Sequence, residues 1–302
     1  MKKLLATTAF ALLFGAGAAF AADLPSRKEA PVYVPPPPPP MWTGFYVGLN
    51  AGGTFGGSDQ VTVAGGGLGA FGTAAQIASA NGVGAAAAGG VIPVSNSGFV
   101  GGGQVGYNWQ FNSFVLGIEA DIQGIAGSNS TSSVASAVPL SAPLGAYSAF
   151  GAVSAQQSLD YLGTVRGRVG FLFTPTLLVY GTGGLAYGGA NLNTSGFASE
   201  GSPIGGSAFA GSTYSDTLVG WTAGGGLEWM FSRNWSAKVE YLYYDLGCLT
   251  STPALAPITA GNGAVIGAIG QQASARFDGH IVRAGINYHF NWGAPAPVVA
   301  KY

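Results

Sequence analysis

Residues 277–292 read FDGHIVRAGINYHFNW, and two kinds of side chain alternate along them. Apolar residues occupy one set of alternate positions (Val282, Ala284, Ile286, Tyr288, Phe290), and polar or small residues occupy the other (Arg283, Gly285, Asn287, His289). A period of two is that of a β-strand, because successive side chains point to opposite faces. The stretch therefore predicts a strand with one apolar face and one polar face.

Seven further stretches alternate in the same way. They are Trp42–Gly53, Phe99–Phe111, Phe114–Gly124, Leu159–Phe173, Leu177–Gly188, Leu218–Phe231 and Trp235–Asp245. About ten alternating residues, apolar outward and polar inward, are typical of a strand that crosses an outer membrane. A soluble β-sandwich alternates too, but it carries more charge on its outer faces.

The composition favours the membrane interpretation. Of 302 residues, 48% are hydrophobic and only 8% are charged, against roughly 25% charged in a soluble domain. The net charge of −1 argues against nucleic-acid binding, which needs clustered Lys and Arg. Beyond residue 22 no run of 18 apolar residues could form a spanning helix. A closed β-barrel is the other structure that satisfies its backbone in lipid.

The connections between these stretches alternate in length. Tight turns fall at 111–114, 173–177 and 231–235, whereas the long links are Ser58–Ser97, Ile125–Gln157, Asn191–Ser215 and Leu249–Ser274. This alternation is typical of outer-membrane barrels. We therefore predict an all-β fold, an eight-stranded antiparallel transmembrane β-barrel with short periplasmic turns and four long outer loops. The loops are rich in Gly, Ala and Ser, which predicts mobility.

The N-terminus has the three parts of a secretory signal peptide: Lys2 and Lys3, an apolar run from Leu4 to Ala18, and small residues before Ala22. We predict a signal peptide over 1–21, with an uncleaved membrane anchor as the alternative. A Pro-rich periplasmic linker over 22–41, the barrel over 42–292 and a periplasmic tail over 293–302 complete the predicted organisation.

Aromatic residues recur at the ends of four predicted strands. The pattern aromatic-x-aromatic closes each of them, at Trp109 and Phe111, Phe171 and Phe173, Trp229 and Phe231, and Tyr288 and Phe290. All eight fall on the apolar face and at the turn end. They predict an aromatic girdle at the inner membrane interface.

Charged residues fall on the inward faces of the predicted strands. They are Glu119, Asp121, Asp160, Glu228, Glu240, Arg166, Arg168, Lys238 and Arg283, five acids and four bases. We predict a paired lumen charge network that plugs the interior, in which Glu228 faces Lys238 directly. Separately hydrated charges along a water column are the alternative. If the charges alone close the interior, removing Arg166 and Arg168 would raise its conductance.

Residues with catalytic or metal-binding chemistry are scarce. The two histidines, His280 and His289, lack metal-ligand spacing, and Cys248 is the single cysteine. Ser274, Asp278 and His280 form at best a weak candidate for a nucleophile–acid–base set. We therefore predict no enzyme activity, no cofactor and no metal site.

Several segments resemble one known family. KKLLATTAFALLFGAGAAFAADLP, WTGFYVGLNAGG, YLGTVRGRVGF, WSAKVEYLYYDLG and NYHFNWGAPAPVVAKY are similar to the alphaproteobacterial outer-membrane immunogenic protein family, OmpA-type small barrels often described as porin-like. The resemblance implies the outer membrane of a Gram-negative cell, with lipid and lipopolysaccharide as surroundings and host or cell-wall molecules as further partners. It also implies an assembly signal, read by the barrel-insertion machinery, in Arg283, Gly285, Tyr288 and Phe290.

Two functions remain open at this point. One is a structural and surface-interaction role for a closed barrel, and the other is a narrow porin-like channel for passive diffusion of small solutes. Side chains just fill the interior of an eight-stranded barrel, whereas open aqueous channels belong to 16–18 strands. The predicted strand number therefore favours the first.

Overall fold

The computed structural model describes residues 41–95, 97–127 and 130–290. The predicted signal peptide, nearly all of the linker, the C-terminal tail and Trp292 lie outside these ranges. Within them the chain forms twelve strands and one helix. In chain order they are β1 (Gly44–Phe55), β2 (Gln60–Ala70), α1 (Ala74–Ala86), β3 (Val91–Pro93), β4 (Gly98–Phe111), β5 (Phe114–Ala126), β6 (Ser130–Pro139), β7 (Ser148–Thr174), β8 (Leu177–Glu200), β9 (Ser207–Ser232), β10 (Trp235–Thr250), β11 (Ala254–Thr259) and β12 (Val265–Phe290).

Eight of these strands close into a ring. Their order is β1, β4, β5, β7, β8, β9, β10 and β12, and β12 pairs back onto β1 from Phe45–Phe290 to Phe55–His280. All the neighbours are antiparallel. Each of the eight predicted strands corresponds to one strand of the ring, and the all-β prediction is confirmed.

The three tight turns are two-residue hairpins. Asn112–Ser113 joins β4 to β5, Pro175–Thr176 joins β7 to β8, and Arg233–Asn234 joins β9 to β10. Asn112 has a φ of 54°, a left-handed conformation that Asn tolerates better than most residues. Because successive ring strands are antiparallel, these three connections lie at the same end of the ring.

The four long connections are not the mobile loops that their composition predicts. Strands β2 and β3 and helix α1 occupy the first, and β6 lies in the second. Strands β8 and β9 extend through most of the third, while β11 and the start of β12 occupy the fourth. The expectation of four long loops is thus wrong for most of their length.

These segments, residues 60–95, 130–157, 191–215 and 249–274, form a second layer of structure beyond the ring, which we call the outer tier. Here β7, β8, β9 and β12 run past the ends of the other ring strands, β11 bridges β9 and β12, β6 pairs with β7, and β2 and β3 continue from β12. Helix α1 contacts strands on all sides of this tier. A Cβ atom on Gly84 of the helix would lie 2.8 Å from the Cα of Gly67. Small residues therefore permit strands to pack closely around the helix. This close packing, and not mobility, explains why these segments are rich in Gly, Ala and Ser.

The sequence at the N-terminus of α1 contains a helix-capping signal. Thr73 caps it: the Gln76 amide donates to the Thr73 Oγ1 at 3.3 Å, and the Thr73 amide donates to the Gln76 Oε1 at 2.8 Å. This reciprocal capping box precedes an Ala-rich segment, a good helix former. Within the described ranges there is no helix with the length and hydropathy of a membrane span.

Aromatic side chains line the outer wall at the turn end. Six of the predicted girdle residues expose between 41 and 75% of their surface, namely Trp109, Phe111, Phe171, Phe173, Trp229 and Phe231. Tyr288 and Phe290 are half-buried, and the Tyr288 ring packs edge-on against Trp235 at 5.2 Å between centroids. Trp42 is different, because it is fully buried inside the ring.

The contrast between Trp229 and Trp42 gives a test of orientation. In variants that keep a single tryptophan, brominated lipids should quench Trp229 strongly, because its ring faces hydrocarbon at the membrane interface. Trp42 should be quenched weakly, because its indole lies behind the barrel wall with its Nε1 donating to the Pro175 carbonyl at 3.0 Å. Equal quenching of the two residues would contradict this orientation of the wall.

Candidate functional site

Eight of the nine predicted lumen charges meet in one layer inside the ring. They are Glu119, Asp121, Arg166, Arg168, Glu228, Lys238, Glu240 and Arg283, and we call them the charged layer. Their side chains expose at most 3% of their surface. Four carboxylates stand against four cations, so the layer is formally neutral.

Arg166 lies at the centre of this layer. Its guanidinium contacts Glu119 at 2.5 Å, Asp121 at 2.7 Å and Glu240 at 2.9 Å. The sheet register explains part of this, because Arg166 pairs directly with Glu119 on β5. Arg283 forms a second bridge, at 2.9 Å from Asp121 and 2.6 Å from Glu240. Two arginines on opposite sides of the ring thus share the same carboxylates.

The predicted pairing of Lys238 with Glu228 is correct in register and wrong in contact. The two residues are directly opposite in the β9–β10 ladder. The Lys238 Nζ instead crosses the lumen to both oxygens of Glu119, at 3.0 Å each, and lies 3.7 Å from Glu240. Glu228 is already held by Arg168 at 2.6 Å and by the Ser236 hydroxyl at 2.6 Å. A long side chain in a narrow lumen reaches beyond its cross-strand neighbour.

Two tyrosines belong to this layer, although sequence reasoning did not assign them to it. The Tyr46 hydroxyl donates to Glu119 at 2.6 Å, and the Tyr180 hydroxyl donates to Glu240 at 3.1 Å. The guanidinium of Arg168 lies 4.1 Å from the centre of the Tyr180 ring and donates to the Tyr46 hydroxyl. Both tyrosines lie on the polar faces of β1 and β8, and this position is the sequence feature that could have assigned them to the layer.

Asp160 does not belong to the layer, which corrects its assignment. It is exposed on the outer wall, where the Asn191 amide donates to it at 2.9 Å. The pairing of β7 with β8 slips between Leu159 and Leu162, and this β-bulge inverts the alternation of inward and outward residues. Counting in steps of two from Arg166 therefore gives the wrong face of the strand for residues on the far side of the bulge, such as Asp160.

Apolar layers lie on both sides of the charged layer. At the turn end, Trp42 packs with Val115, Leu172, Leu178, Tyr180 and Met230. Toward the outer tier, Leu162, Leu242 and Ile281 belong to a larger buried cluster contributed by strands around the ring. Still further out, α1 packs in an alanine-rich cluster with Leu140, Ile258, Ile266 and Ile269. The charges are thus enclosed between water-excluding layers.

Ser236, His289 and Glu228 superficially resemble a catalytic triad. The Ser236 Oγ lies 2.9 Å from the His289 Nε2, and the same nitrogen lies 3.4 Å from Glu228. A triad needs the acid and the nucleophile on different ring nitrogens, and here the Ser236 hydroxyl donates to Glu228 itself. All three side chains are buried, and the Trp42 ring packs edge-on against His289 at 5.8 Å between centroids. This arrangement orders the polar interior and is not set up for acyl transfer.

The weaker candidate set on β12 is likewise divided among separate partners. His280 shares a hydrogen bond of 2.7 Å with the Tyr241 hydroxyl. Asp278 accepts from the Ser58 amide at 2.9 Å, and Ser274 accepts from Thr250. Cys248 is an exposed free thiol. In the described ranges no group of three His, Cys, Asp or Glu residues could hold a metal ion.

The predicted assembly-signal residues lie along β12 but have different surroundings. Arg283 belongs to the charged layer. A Cβ on Gly285 would lie 2.9 Å from the Leu49 carbonyl, so a larger residue would press on β1. Tyr288 and Phe290 pack edge-on on the outer wall, 5.1 Å between centroids.

Glu200, the last residue of β8, connects α1 to the β8–β9 turn through hydrogen bonds. Its Oε1 accepts from the Ser79 hydroxyl of the helix at 2.8 Å, from the Ser202 hydroxyl at 2.9 Å and from the Gly206 amide at 2.8 Å, and its Oε2 accepts from the Ser202 amide. Burial raises the pKa of this carboxyl, but the hydrogen bonds from the Gly206 and Ser202 backbone and from the two hydroxyls outweigh it. The net effect lowers the pKa from its ordinary value of 4.5.

Replacing Arg166 with methionine tests the charged layer. The change keeps an unbranched apolar stem but removes the guanidinium, which leaves three buried carboxylates short of a cation, and we expect a loss of about 3–5 kcal/mol in the free energy of unfolding. Urea unfolding of the refolded protein in liposomes measures it. Arg276→Met is the matched control, because Arg276 pairs with Asp245 from a half-exposed side chain. Similar losses in both variants would count against the layer as a stabilising unit.

Acidification tests the Glu200 contact. Because folding lowers this pKa, the contact stabilises α1 above the ordinary value of 4.5 and is lost as the pH falls through the lowered value. Hydrogen exchange of the α1 amides, corrected for intrinsic rates, should accelerate in that acidic range. Glu200→Gln should exchange faster at pH 7 and lose the acid step. Asp216→Asn, on the exposed outer wall, should keep the wild-type profile, and an unchanged Glu200→Gln profile would exclude the proposed contact.

Comparison with known proteins gives a consistent picture. A sequence model described as the outer membrane protein beta-barrel domain matches residues 7–290. The 31 kDa outer-membrane immunogenic proteins of Brucella melitensis and Brucella suis are each 33% identical to the chain over 292 residues, covering 93% of this chain and 96% of theirs. Among solved structures, OprG from Pseudomonas aeruginosa is 11% identical with a TM-score of 0.33, and covers 82% of this chain and 96% of its own.

The family match and the two Brucella matches extend over nearly the whole chain. The family match includes all eight strands of the ring. The chain belongs to the alphaproteobacterial outer-membrane immunogenic protein family, and its location is the outer membrane of a Gram-negative cell.

Proposed function

We propose that the protein is a closed structural barrel of the outer membrane that carries an ordered, surface-exposed tier. In this proposal the eight-stranded ring spans the membrane, the two-residue turns face the periplasm and the outer tier faces outward. The lengths of the connections support this orientation, because outer-membrane barrels have short periplasmic turns and longer extracellular segments. The exposed aromatic rings at the turn end mark one membrane interface. The role is mechanical support of the membrane and presentation of a surface.

The charged layer is the observation that carries the proposal. A conducting barrel keeps its interior charges hydrated, whereas each carboxylate here contacts at least one cation and is buried. Apolar layers on both sides exclude water. A narrow porin-like channel is therefore the less favoured function. We propose no catalytic role and no cofactor.

Partners follow from the location. Lipid and lipopolysaccharide would surround the ring, host molecules would meet the outer tier, and cell-wall contacts would fall on the periplasmic side. We also propose that the barrel-insertion machinery reads β12 through Arg283, Gly285, Tyr288 and Phe290. The packing of Gly285 against β1 supports this, because the closing seam of the ring lies between β12 and β1.

Single-channel recording in a planar bilayer tests the closed barrel. We expect the wild-type protein to show no steady conductance. Arg166→Ala combined with Arg168→Ala should lower stability while conductance stays low, because the apolar cluster with Leu162, Leu242 and Ile281 still closes the path. This differs from the expectation that the charges alone close the interior. A large and steady wild-type conductance would establish the porin-like function instead.

A further inference from the structure

The outer tier is almost free of charge. Its segments 60–95, 130–157, 191–215 and 249–274 contain a single charged residue, Glu200. That carboxylate is buried and faces α1. Most soluble protein surfaces use interspersed charges to prevent association, and a neutral surface promotes it. The outer wall of this tier thus lacks the usual barrier to contact with a copy of itself.

Three phenylalanines form an exposed cluster on this wall, which we call the outer phenylalanine patch. Phe150 on β7, Phe197 on β8 and Phe209 on β9 expose 61, 51 and 66% of their surface. Phe197 and Phe209 are direct cross-strand neighbours, and Phe150 pairs with Ser199 on β8. The patch therefore spans three adjacent strands. Exposed aromatic side chains that lie close together on adjacent strands are enriched at interaction sites.

The patch lies too far from the turns to be covered by membrane hydrocarbon. Phe197 is 20 residues beyond Leu177 at the turn end of β8, which is about 50 Å along the barrel axis at 3.3 Å per residue and a 35–45° tilt. The apolar band of an outer-membrane barrel is about 25 Å tall. Polar side chains separate the two regions, including Ser154 and Ser195, which share a hydrogen bond of 2.7 Å, and Asn193 and Gln156.

We infer that the outer phenylalanine patch is a lateral contact between two copies of this chain in the same membrane. The membrane holds every copy with its axis along the membrane normal. A two-fold axis parallel to that normal brings equal heights together, so each patch meets its equivalent. Because the tier around the patch is uncharged, the two copies approach without electrostatic repulsion.

The size of the patch sets the strength of this contact. Three rings of roughly 200 Å² each, exposed by about six-tenths, offer on the order of 350 Å² per copy, or 700 Å² in a pair. This is below the roughly 1,200 Å² of a stable interface and belongs to the weak, transient class. The contact therefore produces reversible clustering that depends on the density of the protein in the membrane.

Cross-linking in liposomes tests the inference. Ser199 neighbours Phe150 on the outer wall, so Ser199→Cys places a thiol at the patch, in a Cys248→Ser background that removes the native thiol. A short bismaleimide should give cross-linked dimers in liposomes without lipopolysaccharide. Adding Phe150→Ser, Phe197→Ser and Phe209→Ser should reduce the dimer yield at least fivefold. Resistance of the barrel to protease verifies that each variant is folded, and Phe197→Thr alone serves if the triple variant is not.

A matched control removes apolar surface elsewhere in the tier. Leu68 on β2 and Phe71 directly after it are exposed by 64 and 53%, and β2 lies four strands from β8 around the tier. Leu68→Ser with Phe71→Ser should leave the Ser199→Cys cross-link unchanged. The inference is overturned if the phenylalanine variants cross-link as well as the parent protein. It is also overturned if cross-links appear only with lipopolysaccharide, because lipopolysaccharide and not direct contact of the patches would then hold the copies together.

Discussion

The fold depends on the ion pairs that Arg166 forms inside the ring. Eight strands leave an interior that side chains just fill, so charged residues on the inward faces have no bulk water to hydrate them. Arg166 contacts carboxylates from β5 and β10, and its own strand is β7. Its guanidinium therefore connects strands across the lumen, in addition to the backbone ladders that connect neighbours. Exclusion of water strengthens these contacts and raises the cost of breaking any one of them.

The layers above and below give the charges their environment. Trp42 closes the turn end, and its indole donates to a turn carbonyl across the ring. The apolar cluster on the other side continues as far as the α1 layer. Together they make the interior a protein core rather than a pore. A barrel that is solid in this way suits support and surface presentation, since neither task needs a passage.

Four long strands connect the ring to the outer tier. Because β7, β8, β9 and β12 continue without interruption, the tier is held at a fixed position on the ring instead of hanging from flexible loops. Glycine and alanine permit α1 to pack against surrounding strands, as at Gly84 and Gly67. The same small, uncharged residues leave the outer wall neutral. The same small, uncharged residues thus permit both close packing inside the outer tier and association at its outer wall.

The sequence by itself determined what depends on local periodicity. Alternation with a period of two identified the eight ring strands, and the inward parity of Arg166, Glu119 and Arg283 followed from it, as did the outward position of the girdle. Cross-strand neighbours such as Lys238 and Glu228 were also correct, because the short turn and the register shift directly after it, between Trp235 and Ser236, together leave these two residues opposite each other. Tertiary structure decided the rest. The Lys238 contact with Glu119 spans the lumen, so no local pattern encodes it. The bulge that turns Asp160 outward changes parity without a clear sequence signal. The outer tier and α1 depend on packing among segments far apart in the chain, where small residues that look like loop in isolation become a core.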